Sequence, residues 1–165
     1  MPALSDFPVI KQPGELDCLP TCVQAVLLYQ FGEEASIEDA RRLCDAEPAG
    51  GCVWSKSVRA LRKSRYPASE AATGDETDEQ ALYLLYDLVE TNDLAVIVRV
   101  PIYVSETEQS FSHALVVVGV ADDGSAVTVM NPDPDKPNTR ETWEGGAFFG
   151  TWQAADFDGL YFGDE

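Results

Sequence analysis

The stretch Gln12-Pro13-Gly14-Glu15-Leu16-Asp17-Cys18-Leu19-Pro20-Thr21-Cys22 runs directly into Val23-Gln24-Ala25-Val26-Leu27-Leu28-Tyr29. A Gln stands six residues before a Cys, and the Cys opens an apolar run of helical period. Val23, Val26, Leu27 and Phe31 fall on one side of that helix, and Gly32 stops it. A thiol on the first turn of a helix feels the positive end of its dipole and its free N–H groups. That environment favours thiolate and can bring a Cys pKa from about 8.5 into the range ~3.5–7.5. The same amides, with a side-chain amide arriving from just upstream, can cradle a developing oxyanion. The junction therefore suits a thiol nucleophile.

The rest of the chain bounds the context. Its 165 residues, 45% hydrophobic, are enough for one ordered domain with a real core, spanning 1–165. Twenty-nine acidic against eleven basic residues give a net charge of −18 and a pI near 4.1. A surface of that sign repels phosphate nearly everywhere, which excludes nucleic acid as a partner. The acidic residues are spread along the chain and Lys is sparse, a composition that a salt-rich cytoplasm would select. An ordinary acidic protein is the alternative. Residues 1–10 carry no basic or apolar signal-peptide core, and no apolar run is long enough to span a bilayer, so the expected location is cytoplasmic. The four Cys are then expected as free thiols. Cys18/Cys22 and Cys44/Cys52 match no zinc spacing, and the only His is distant, so neither a metal nor a cofactor is expected. Cys-x3-Cys is likewise not the spacing of a thioredoxin-like redox site.

Three more helices are predicted: 36–46 with Ser36 as N-cap, 53–65 with Val58 and Leu61 inward and a basic outer face, and an acidic-started helix from about 75 to 90. Residues 66–73 read as a short strand entering a loop. Strands follow at Ala95–Val100, ended by Pro101, at His113–Val120, and after an Asp122-Asp123-Gly124 turn at Val127–Met130. Residues 144–155 read as an aromatic-rich helix or loop, and Leu160–Phe162 as a closing strand. Helices first and an antiparallel sheet second make an α+β domain.

His113 is the single imidazole, and it starts an apolar strand, so it would emerge at a sheet edge. In a hairpin turning at Asp122–Ser125, His113 and Asn131 lie at nearly the same level. Asn131 can fix the tautomer through one ring nitrogen and leave the other to face Cys18. Asp133 is a second candidate for that orienting position. Gln12 supplies the upstream amide as oxyanion donor. Cys22, Cys44 and Cys52 read as small buried hydrophobes, with Cys52 beside Gly50-Gly51 more accessible.

Gln-x5-Cys at a helix start, Ser-His-Ala-Leu-Val-Val-Val-Gly and Val-Thr-Val-Met-Asn-Pro-Asp-Pro together resemble the papain-like cysteine peptidases that process bacteriocin leader peptides at double-glycine sites. The resemblance implies a papain-like fold with N-terminal helices packed on a C-terminal antiparallel sheet. It implies Cys18 as nucleophile, His113 as general base, Asn131 as orienting residue and Gln12 as oxyanion donor. A peptide or protein would be the substrate, with a transporter or maturation protein as partner. The chain departs from that family in having Leu19-Pro20 after the Cys and Asn131 where an Asp is common. An amide-bond transferase or isopeptidase on the same fold, and a catalytically idle peptide-binding module, are the alternatives.

Overall fold

The computed structural model describes residues 6–71, 77–104, 109–136 and 140–163. Helices α1 (Cys18–Phe31), α2 (Ile37–Leu43) and α3 (Trp54–Arg62) come first, then β1 (Ala68–Glu70) and α4 (Asp78–Tyr86), which runs into a π-helical turn at Asp87–Thr91. Strands β2 (Val96–Val104), β3 (Gln109–Val120), β4 (Ala126–Met130) and β5 (Glu141–Glu144) follow, then α5 (Gly145–Gln153) and β6 (Gly159–Phe162). The six strands form one antiparallel sheet in the order β1-β6-β2-β3-β4-β5. The architecture is α+β, as expected.

Helix boundaries follow local chemistry. Ser36 accepts a hydrogen bond from the Asp39 amide at the start of α2, and Thr77 with Gln80 forms a reciprocal capping box on α4. Gly32 takes φ 65° at the end of α1, where its N–H and that of Glu33 satisfy the last carbonyls. Helix α1 is not the one-sided helix its periodicity suggested. Leu19 through Val23 and Ala25 through Leu27 are all buried, so α1 is covered nearly all round, while Phe31 is partly exposed and stacks near Tyr66 and Phe162.

Helices do not lie on one face alone. α1 packs on β3, α5 packs on β2, and α4 packs on α5. Both faces of the central strands are consequently buried, which is why 95–98 and 114–118 read as continuous apolar runs without alternation. The closing strand β6 is not peripheral either, since it inserts between β1 and β2.

Two strands extend beyond their expected ends. Pro101 does not terminate β2, which pairs with β3 as far as Val104 opposite Gln109. The Arg99 N–H points toward the β6 side and donates to the Asp158 carbonyl at 3.0 Å. Two residues on, Pro101 directs its nitrogen the same way, past the end of β6, so its missing donor costs nothing. His113 therefore lies within β3, opposite Val100, instead of opening a strand at the sheet edge. Strand β5 was not anticipated, because Glu-Thr-Trp-Glu on an outer edge lacks an apolar face.

Candidate active site

Cys18 is the first residue of α1 and is half-buried. The turn before it is tightly specified. The Asp17 amide donates to the Gly14 carbonyl at 3.1 Å, and a Cβ on Gly14 would lie 2.8 Å from Asp17 Oδ2. Asp17, itself buried, does not cap the helix. Its carboxylate accepts two hydrogen bonds from Arg41 of α2, Nε to Oδ1 at 2.8 Å and Nη2 to Oδ2 at 2.7 Å. That bidentate pair fixes the end of α1 that presents the thiol.

The other half of the site comes from the β3–β4 hairpin. A bulge between Val117 and Gly119 shifts the register, so Val116 pairs with Met130. Carried one residue on, this sets Asn131 opposite Leu115, on the same face as His113. Without the extra residue Asn131 would fall on the other face. The pair is thus diagonal rather than level, and His113 Nε2 lies 2.8 Å from Asn131 Oδ1. The Asp133 amide donates to the same oxygen at 3.0 Å, which identifies that atom as the carbonyl oxygen. His113 must then donate from Nε2, and the neutral ring keeps its lone pair on Nδ1. Asp133 turns away, accepting from the Asp135 amide at 2.9 Å. Lys11 ties the segment down by donating to the carbonyls of Asn131 and Asp133 at 3.0 and 3.1 Å.

Cys18 and His113 together line one continuous cleft. The backbone amides of Ala114 and Leu19 lie against the Cys18 sulfur and hold its pKa down, but burial outweighs them and pushes the thiol above its ordinary value. This corrects the expectation of a resting thiolate: a half-buried sulfur loses more to desolvation than the helix terminus returns. Cys22 and Cys44 are fully buried, as expected, and their thiols are pushed up further.

Gln12 is brought to the site by backbone pairing, its N–H donating to the Pro132 carbonyl at 2.8 Å. Its side-chain Nε2 donates to the Gly14 and Glu15 carbonyls at 2.9 and 3.1 Å, which commits both amide hydrogens to the turn, and its Oε1 is buried with no partner among the described residues. On one flank of the cleft stand Leu16, Leu19, Val53 and Trp54; on the other, Glu15, Asp133 and Asp135. Among the described residues no cluster of His, Cys, Asp and Glu could hold a metal ion.

Two solved structures superpose over nearly the whole chain. A C39-like peptidase from Bacillus anthracis matches with a TM-score of 0.68 at 16% identity, covering 99% of this chain and 98% of that one. The peptidase domain of Streptococcus ComA, a bifunctional ABC transporter involved in quorum sensing, matches with a TM-score of 0.65 at 20% identity, covering 96% and 99%. The chain has the papain-like fold of the C39 peptidases. No family profile matches it, and no curated protein matches its sequence. Of the residues singled out from the sequence, Cys18, His113 and Gln12 line the cleft, Asn131 is joined to it through its hydrogen bond with His113, and Asp133 stands on the cleft's flank with its carboxylate accepting from the Asp135 amide. Arg41 and Lys11 went unread, because each acts on a segment distant in sequence and neither belongs to a local motif.

Proposed function

We propose that this chain is a cysteine peptidase that cleaves a peptide threaded through the Cys18–His113 cleft. The observation that carries the reading is the His113–Asn131 hydrogen bond, which leaves Nδ1 as a base on the cleft beside a helix-leading thiol. Substrate binding displaces water and brings the Cys18 proton to His113 Nδ1. The sulfur attacks the scissile carbonyl carbon, and the charge passes to its oxygen. The Cys18 amide and the Gln12 carboxamide, released from one of its turn carbonyls, stabilise that oxyanion. His113 then protonates the leaving amine, giving a thioester, and next deprotonates the water that hydrolyses it. Asn131 keeps the ring in one tautomer throughout. The substrate by analogy with the ComA domain is a peptide handled with a transporter or maturation protein, and the protein works in the cytoplasm.

The test is mapping of adducts after treatment with iodoacetamide or a peptidyl electrophile. The peptidyl electrophile should modify Cys18 near neutral pH, whichever other thiol iodoacetamide also reaches, and Cys18→Ala should abolish turnover while preserving binding. Preferential labelling elsewhere, with Cys18 inert, overturns the proposal. The engaged Gln12 amide favours a second reading, an idle peptide-binding module on the same fold. Equal behaviour of wild type and Cys18→Ala toward peptides would establish that one. Transferase or isopeptidase chemistry would use the same thioester and show as acyl transfer to an added amine.

A further inference from the structure

Helix α1 begins with an Asp that does not cap it. Aspartate is among the strongest N-cap residues, its carboxylate accepting from amides of the first turn. Three other helices use that device. Ser36 on α2, Thr77 on α4 and Glu144 on α5 all accept first-turn amides, from extended backbone at ψ 163, 166 and 136°. Asp17 stands at ψ 18° and makes no such bond. Among the described residues it is the one helix-leading residue with a capping side chain that does not cap. Its buried carboxylate lies instead between Arg41 of α2 and Gly14. Arg41 donates from Nε at 2.8 Å and from Nη2 at 2.7 Å, and the missing Cβ of Gly14 leaves the room that Oδ2 occupies.

The amides left uncovered are the ones the chemistry requires. The first turn of any helix has amides with no acceptor inside the helix. In α1 Pro20 brings none, and Thr21 already donates to the Asp17 carbonyl at 3.0 Å. The amides of Cys18 and Leu19 remain. An N-cap carboxylate accepts from the second or third helical amide, and with Pro20 in third place only that of Leu19 would serve. The Leu19 amide lies against the Cys18 sulfur. The Cys18 amide serves the oxyanion in the proposed reaction. A carboxylate capping α1 would compete for these donors and set a negative charge beside a sulfur that must become a thiolate.

We propose that Arg41 is a positioning residue for the reaction at Cys18: it holds the Asp17 carboxylate off the start of α1, so that the Cys18 and Leu19 amides stay open to the oxyanion and the sulfur. The inference rests on the peptidase reading and adds to it a residue that lines neither part of the cleft. Without Arg41 the buried carboxylate loses both of its charged donors, and the nearest unsatisfied amides are those of its own helix. Asp17 then relaxes to the extended backbone of the other caps. A lysine would hold it less well, because only a guanidinium engages both carboxylate oxygens at once.

The experiment compares the full chain with Arg41→Ala, Arg41→Lys and the double variant Asp17→Ala/Arg41→Ala. It reads the rate at which a peptidyl electrophile modifies Cys18, and peptide turnover. Arg41→Ala should slow both by about five- to thirtyfold, the scale of losing a helix terminus, with kcat falling and KM little changed. Arg41→Lys should lie between. The double variant should recover most of the loss, because no carboxylate is left to cap. A pair that merely braced α1 against α2 would leave the double variant at least as slow as Arg41→Ala, and that result overturns the proposal. If Arg41→Ala is too unstable to isolate, Arg41→Lys with and without Asp17→Ala gives the same comparison. The crystal structure of the variant adds a readout besides activity. Asp17 should accept from the Leu19 amide, and a carboxylate still seated beside Gly14 overturns the proposal. A wild-type Cys18 inert to the electrophile fails the peptidase reading and this inference with it, whereas a reactive Cys18 indifferent to Arg41→Ala fails this inference alone.

Discussion

Asn131 and Asp133 compete for one role, and their hydrogen bonds separate them. Asn131 Oδ1 accepts from both His113 and the Asp133 amide, while the Asp133 carboxylate is spent on the Asp135 amide. Asn131→Ala should therefore lower kcat by up to about 10², the scale of a misoriented general base. Asn131→Asp, which keeps an acceptor in place, should retain activity, and Asp133→Ala should be near neutral. Steady-state kinetics on the three variants decide it, and a larger loss from Asp133→Ala would reassign the orienting role. Gln12→Ala should lower kcat by roughly 10²–10³ with an unchanged circular dichroism spectrum. A fall below about threefold would remove it from the oxyanion site and favour the idle module. These four residues were legible because each sits in a local pattern: a Gln before a Cys, a Cys opening a helix, a His in an apolar run, an Asn ending a strand. The diagonal His113–Asn131 contact was not, since it depends on a bulge at Val117–Gly119 that the run Val116-Val117-Val118-Gly119 does not announce.

At the scale of elements, the most constrained junction lies where the β3–β4 turn meets the start of α5. The Gly145 amide donates to the Ser125 carbonyl at 2.9 Å, and a Cβ on Gly145 would fall 1.8 Å from the Gly124 carbonyl oxygen. Backbone on backbone has no side chain to swing aside. Gly145→Ala should cost at least the ~1–3 kcal/mol of an overpacked site, read as a lower denaturation midpoint. Gly150→Ala in the same helix, where nothing lies within 4 Å of the added carbon, is the control and should be neutral or stabilising. The sequence marked the turn through Asp122-Asp123-Gly124 but gave no sign that α5 leans on it. Contacts between elements far apart in sequence leave no periodicity to read. The same holds for β5 and for the extension of β2 past Pro101, where the decisive fact is which neighbour has already ended.

Over the whole molecule, buried sulfur sets an upper pH limit. Cys18, Cys22 and Cys44 all have thiols raised by burial or by a neighbouring thiol, against one, Cys52, that is lowered. Above about pH 8.5 an unfolded chain releases those protons while the folded chain retains them, so stability is full below that point and falls as pH rises. Denaturation midpoints should hold up to about pH 8.5 and drop as pH is raised beyond it, and Cys22→Ala should flatten the slope.

Salt acts on the opposite balance. Many of the cations are already paired: Arg41 with Asp17, Arg42 with Asp39, Lys56 with Asp45 and Glu47, Arg65 with Glu33, Arg99 with Asp158. With 29 acidic residues against 11 basic ones, most carboxylates have no counter-charge and repel one another across the surface. Screening shortens the Debye length from ~10 Å at 0.1 M to ~3 Å at 1 M, which removes repulsion between distant carboxylates before it weakens contacts near 3 Å. The exposed ion pairs lose little because each is worth little. Tm should therefore climb as potassium chloride is raised into the molar range, with the steepest part below about 1 M, where the screening length changes most. Sulfate would confound the experiment by strengthening apolar burial, so chloride is the informative salt. A flat Tm would mean that the carboxylates are far enough apart to be solvated independently, and the acidic surface would then carry no salt adaptation.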